Sequence, residues 1–122
     1  IAKLREDRED LAGAVSAYAR ATGTNERMKA LYALGRLQER RKKVKEAKNA
    51  YERLRALFPK DDPSRLSGLL RLGLMLELED KPQEAAPLYA EVLKRAERGG
   101  QTFETARKRL ESLSSDKSLI NR

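Results

Sequence analysis

The sequence predicts an all-α protein of about six helices. Three observations carry that expectation. Apolar side chains recur three and four residues apart along nearly the whole chain, which stacks them on one face of a helix. No stretch alternates apolar and polar residues over a strand's length, and β-branched residues are few. Glycine, proline and short polar runs fall between the apolar stripes rather than through them.

The first stripe runs through Leu11, Ala14, Val15 and Tyr18 and ends at Thr22-Gly23-Thr24-Asn25. The second carries Leu31, Leu34 and Leu37, and the third Ala47, Tyr51 and Leu54. Phe58-Pro59-Lys60-Asp61-Asp62-Pro63 interrupts them; Asp62 suits an N-cap and Pro63 the first turn of the next helix. That fourth helix spans Leu66 to Leu78, and Asp80-Lys81-Pro82-Gln83 starts a fifth. Gly99-Gly100 predicts its end, with Thr102 as the cap of a last helix bearing Phe103, Ala106, Leu110 and Leu113. Ser114-Ser115-Asp116-Lys117-Ser118 is polar and expected to fray, so residues 114–122 form a flexible tail. Residue 1 is Ile, and Ile1 and Leu4 already lie on an apolar stripe, so a fragment of a longer protein is expected.

Composition narrows the chemistry. The 122 residues carry 27 Lys+Arg against 19 Asp+Glu, a formal charge of +8, and 38% of them are charged. Cys, His and Trp are absent. That removes thiol nucleophiles, disulfides, imidazole bases and the usual zinc and haem ligands. No cofactor is expected, and the compartment stays open, cytoplasm or periplasm. No Gly-rich phosphate loop or nucleophile elbow is present. Glu77, Glu79 and Asp80 could form an acid/base pair, but such a cluster at a helix end reads better as a solvated turn.

An internal repeat is visible. Leu34-Gly35 is followed by Ala47, Tyr51 and Pro59; Leu72-Gly73 is followed at the same spacing by Ala85 and Tyr89. Ala2, Ala14 and Tyr18 echo the spacing at the front. This resembles the tetratricopeptide repeat, a helix-turn-helix unit with L-G, then A-x3-F, then P. The resemblance divides the chain into a partial repeat (1–27), two full repeats (28–61 and 66–99) and a capping helix (101–113). It implies a right-handed superhelical array of antiparallel helix pairs with a concave face. Glu97 stands where the second repeat would carry proline, and Pro87 should kink the fifth helix or delay its start. The extra residues around Asp61–Ser64 resemble the longer-spaced repeats of bacterial envelope proteins. Gly35 and Gly73 need a packing reason, which a paired helix bearing Ala47 or Ala85 would supply, with Tyr51 and Tyr89 filling space between repeats.

Two surfaces could recognise something. Arg36, Arg40, Arg41, Lys42, Lys43, Lys45 and Lys48 form a basic run opposed only by Glu39 and Glu46. Arg40, Arg41, Lys42 and Lys43 are thus the candidates for binding nucleic acid or anionic lipid. In the repeat register, however, the run centres on a turn whose counterparts, Glu6–Asp10 and Glu77–Asp80, are acidic, and no aromatic set is interleaved for base stacking. Nucleic acid and membrane are therefore not the favoured partners.

The other surface is the helix of Leu66–Leu78, apolar almost all round. Leu70, Leu74 and Leu78 exceed what one core needs, and in the resembled fold that line faces the concave groove. One repeat earlier the line holds Tyr32, Arg36 and Arg40, flanked by Lys29. With Arg71 these residues make a groove suited to an acidic amphipathic helix or extended peptide. Core burial of the leucines, or self-association through them, is the competing expectation. Ala33 stands where a carboxylate-clamp repeat would need asparagine, so only Arg71 matches that set. The expected function is a non-catalytic protein-interaction scaffold.

Overall fold

Six helices form in the computed structural model, which describes residues 2–20 and 23–115. They are α1 (Ala2–Arg20), α2 (Thr24–Arg40), α3 (Val44–Arg55), α4 (Pro63–Leu78), α5 (Pro82–Arg95) and α6 (Gln101–Ser115). There is no strand among the described residues.

Several ends form where the sequence expects them. Asp62 Oδ1 accepts the Ser64 N–H at 2.9 Å, and Pro63 opens α4. Pro82 opens α5. Pro87 neither delays nor ends that helix: both Pro87 and Gln83, whose carbonyl it cannot serve, lie on the exposed side, where water can take the missing donor's place. Other ends differ. Gly99 takes a left-handed φ of 84° and the Gly100 carbonyl accepts the Glu104 N–H at 2.9 Å, so Gly100 caps α6 and Thr102 lies inside it. Ser114 and Ser115 complete α6; residues 116–122 of the expected tail lie outside the described residues. Helix α1 runs unbroken through Glu6–Asp10, so no turn forms there and the acidic counterpart expected at that point does not exist.

The helices α2 and α4 end alike. Lys43 N–H reaches the Gln38 carbonyl at 2.8 Å and Lys42 N–H the Glu39 carbonyl at 3.0 Å, with Lys42 at φ 64°. Lys81 and Asp80 repeat this on Leu76 (2.9 Å) and Glu77 (3.0 Å), with Asp80 at φ 61°. Both are Schellman closures, and both put a side chain where glycine is the easy residue.

The chain divides into two units, Ile1–Arg65 and Leu66–Arg122. In the first, α1 packs on α2 and α2 on α3. Met28, Ala30, Leu31, Leu37, Ala47, Ala50, Tyr51 and Leu54 are its buried apolar side chains among the described residues. Arg65, 1% exposed, donates from Nε to the Arg55 carbonyl (2.9 Å) and from Nη1 to the Lys60 carbonyl (2.7 Å), tying down the end of α3 and the connection after it. In the second unit α5 packs on α6, and Leu66, Leu69, Leu72, Met75, Leu88, Tyr89 and Val92 are buried.

The packing reason for the two helix glycines is the tyrosine of the same repeat. A Cβ built on Gly73 would sit 2.6 Å from Tyr89 Cε1, and one on Gly35 would sit 2.7 Å from Tyr51 Cζ. The rings thus lie directly against the helix backbone, and neither tyrosine is exposed at all. Ala47 and Ala85, also fully buried, lie one turn before each ring.

Three consequences are measurable by thermal or urea unfolding. Gly73→Ala should destabilise by about 1–3 kcal/mol through overpacking, although alanine is the better helix former. Gly13→Ala, on α1 with nothing within 4 Å of the new Cβ, should stabilise by up to about 1 kcal/mol. Lys42→Gly should also stabilise, by roughly 1 kcal/mol, by relieving the left-handed lysine.

Candidate functional site

Helix α2 sets Lys29, Tyr32, Arg36 and Arg40 on one face, since they follow one another at three and four residues. Lys29 and Arg40 are exposed; Tyr32 and Arg36 are partly so. The Tyr32 ring leans on Tyr51, with centroids 6.2 Å apart and planes at 40°. Arg36 Nη1 donates to Glu39 Oε2 at 3.2 Å, and the Tyr51 hydroxyl donates to the same oxygen at 2.6 Å. The acid nearest this face is therefore engaged by the fold, and the face keeps its positive character.

The basic run centres on the α2–α3 turn, as expected. Arg41 donates to Gln38 Oε1 at 3.3 Å, whereas Arg40, Lys42, Lys43 and Lys45 are exposed. Charge is distributed unevenly: residues 1–65 hold 17 Lys+Arg against 10 Asp+Glu, and residues 66–122 hold 10 against 9. Nearly all of the net charge therefore belongs to the first unit.

On α4 the leucine line is graded. Leu70 is buried at 8% exposure and joins the core, Leu74 is partly exposed, and Leu78 is 89% exposed. Arg71 is partly exposed. The expectation that all three leucines are spare is thus corrected for Leu70. An almost fully hydrated leucine at the helix end is the feature for which the core gives no reason.

The residues the sequence reading missed are the partners of the buried tyrosines. The Tyr89 hydroxyl donates to Glu77 Oε2, and Arg109 of α6 donates to both Glu77 oxygens, Nε at 3.0 Å and Nη2 more closely. Glu77 is consequently no part of a solvated turn, and Arg109 reaches from α6 to α4. The Arg109 hydrogen bonds hold the Glu77 carboxyl below its ordinary value, while burial and the bond to Glu77 push the Tyr89 phenol up. Both groups are locked in one protonation state at neutral pH, the opposite of what acid/base catalysis requires. The signal was present in the sequence as G-x3-E twice, at Gly35/Glu39 and Gly73/Glu77, each twelve residues before a tyrosine.

Among the described residues, no group of three His, Cys, Asp or Glu could hold a metal ion, and no helix is long and apolar enough to cross a membrane. The Glu77–Arg109 pair carries a pH signature. Because the folded carboxyl sits below its ordinary 4.5, the stability it lends is complete above that value and is lost as pH falls through the folded value. Glu77→Gln should cost about 1–3 kcal/mol at neutral pH and flatten the acid limb of a stability–pH curve.

Comparison with family models matches residues 29–61 to the tetratricopeptide repeat. Comparison with curated proteins and with solved structures finds no match. Tetratricopeptide repeats generally mediate protein–protein interaction and are typically non-catalytic scaffolds. The match falls on α2, α3 and the connection after them, one residue inside the span that the L-G…A-x3-Y…P spacing marks out. Together with an all-helical chain whose neighbouring helices pack in contact, it assigns residues 29–61 to the tetratricopeptide-repeat family.

Proposed function

We propose that the chain is a non-catalytic module that binds a partner protein through the outward faces of α2 and α4. The supporting observation is positional. Tyr32, Arg36 and Arg40 stand in the same register, 38 residues earlier, as Leu70, Leu74 and Leu78. Tyr32 and Arg36 also brace Tyr51 and Glu39, and Leu70 joins the core, but Arg40, Leu74 and Leu78 lie outside the cores, and there the two helices differ: a cation on α2, leucines on α4. Lys29 and Arg71 flank them. Taken each by itself, the α2 face suits carboxylates and the α4 line suits an apolar stripe, both of which an acidic amphipathic helix or an extended peptide offers. Leu74 and Leu78 supply the apolar contact, with Leu70 beneath them in the core.

The second reading is charge-driven binding of nucleic acid or anionic lipid at Arg40, Arg41, Lys42 and Lys43. Exposure of Lys42 and Lys43 on a tight turn favours it. The matching turn in the other unit, Glu79-Asp80, disfavours a continuous anion track. Such binding would fall steeply with salt.

Affinity capture at physiological salt with nuclease present separates the readings. Leu74→Asp/Leu78→Asp and Arg36→Glu/Arg40→Glu should each lose a protein that the wild type retains, with helical content unchanged by circular dichroism. Retention of the same material by the leucine variant, and its loss at high salt, would instead support the charge-driven reading. Concentration-dependent sedimentation abolished by Leu78→Asp would point to self-association.

A further inference from the structure

We propose that the α2–α3 turn is a contact point for an anionic lipid bilayer, with four cations meeting the headgroups and Val44 entering between them. The proposal narrows the charge-driven reading to one target and rests on it; with the α2 and α4 faces it shares only Arg40. Residues 42–46 are exposed without a break, and Arg40 beside them is exposed too. The tip thus presents Arg40, Lys42, Lys43 and Lys45 against one exposed acid, Glu46. Among the described residues, none of those four cations makes a side-chain ion pair or hydrogen bond. Glu39, the other acid nearby, is held by Arg36 and by the Tyr51 hydroxyl.

At the centre of this charge stands Val44, 48% exposed. The core does not account for it, since the buried side chains of α3 are Ala47, Ala50, Tyr51 and Leu54. The turn around it is closed. Lys42 N–H is bound to the Glu39 carbonyl and Lys43 N–H to the Gln38 carbonyl, so the tip offers side chains and not backbone.

Shape and composition choose the target. The cations lie at the end of a packed helix pair, and a projecting tip meets a flat surface without rearrangement. Repeats stack through the sides of their helices. The contact therefore does not depend on what else packs on those sides. A bilayer with anionic lipid attracts each nearby Lys or Arg, and below its headgroups lies an apolar layer that accepts a valine. Nucleic acid would use the charge but leave Val44 idle, and the matching turn of the other repeat, Glu79-Asp80, offers it no second foothold. One objection to a flat anionic surface also falls away: α1 runs unbroken through Glu6–Asp10, so no acidic turn forms there.

The test is co-sedimentation of the whole chain with vesicles at physiological salt. Vesicles of phosphatidylcholine with about one-third phosphatidylglycerol should pellet it, and phosphatidylcholine alone should not. Lys42→Gly/Lys43→Ser removes two charges while favouring both the left-handed closure and the helix cap, so the variant keeps its fold. It should bind about tenfold more weakly or worse. Val44→Ser keeps every charge and should weaken binding about threefold. Because the chain has no tryptophan, Val44→Trp reports the environment of the tip. Its emission should shift to the blue on anionic vesicles and stay unshifted with a single-stranded oligonucleotide. Equal pelleting by neutral vesicles, undiminished binding by the Lys42/Lys43 variant, or unshifted Val44→Trp emission on vesicles that pellet the chain overturns the proposal. Binding of the oligonucleotide without binding of vesicles overturns it and leaves the charge-driven reading standing; binding of neither overturns both.

Discussion

A tyrosine ring pressed against a helix backbone is the contact on which both repeats depend. The approach is possible only because Gly35 and Gly73 lack a Cβ, at a cost in helix propensity of about 1 kcal/mol each. Full burial of a large ring offsets that cost. Burial then imposes a second requirement, because a phenol removed from water needs a hydrogen-bond partner. Glu39 and Glu77 meet it, each one turn beyond the glycine. A partly buried carboxylate in turn draws a guanidinium, Arg36 within α2 for the first and Arg109 from α6 for the second. One steric fact thus leads through a hydrogen bond to an ion pair, and in the second unit that ion pair joins α6 to α4.

The same offset of 38 residues separates the glycines, the glutamates, the tyrosines and the left-handed closures at Lys42 and Asp80. Positions that the packing fixes are alike in the two repeats, and positions that it leaves open diverge. Arg40 against Leu78 is of the second kind, as is the charge borne at the two closures, Arg41-Lys42 against Glu79-Asp80. Packing fixes one set of positions and leaves the other to vary, which is why the fold alone does not choose a partner.

Much of this was legible in the sequence because it is local or periodic. The stripe of Ala47, Tyr51 and Leu54 predicts α3, and Asp62-Pro63 predicts the start of α4, since cap and proline chemistry act within a few residues. What escaped is contact across the fold. Arg109 gives no sign of its role until α6 is packed in place, and Arg65 looks like an ordinary basic residue until it reaches two carbonyls. Leu70 is apolar whether it lines a surface or a core; only burial separates the two. The charged stretch Glu6–Asp10 falls on a turn in the repeat register, yet α1 runs through it as one helix of nineteen residues. Thr102 is a good cap residue, but the left-handed Gly99 closes the connection early and hands the cap to Gly100.

The most direct test is a double-mutant cycle on the tyrosine–glutamate pair in each repeat, measured by urea unfolding: Tyr51→Phe with Glu39→Gln, and Tyr89→Phe with Glu77→Gln. If each buried phenol depends on its glutamate, both cycles will return coupling of about 1.5–3 kcal/mol. Coupling near zero in either repeat would mean that the hydroxyl finds no support in the glutamate, and that the repeats are held by ring burial alone.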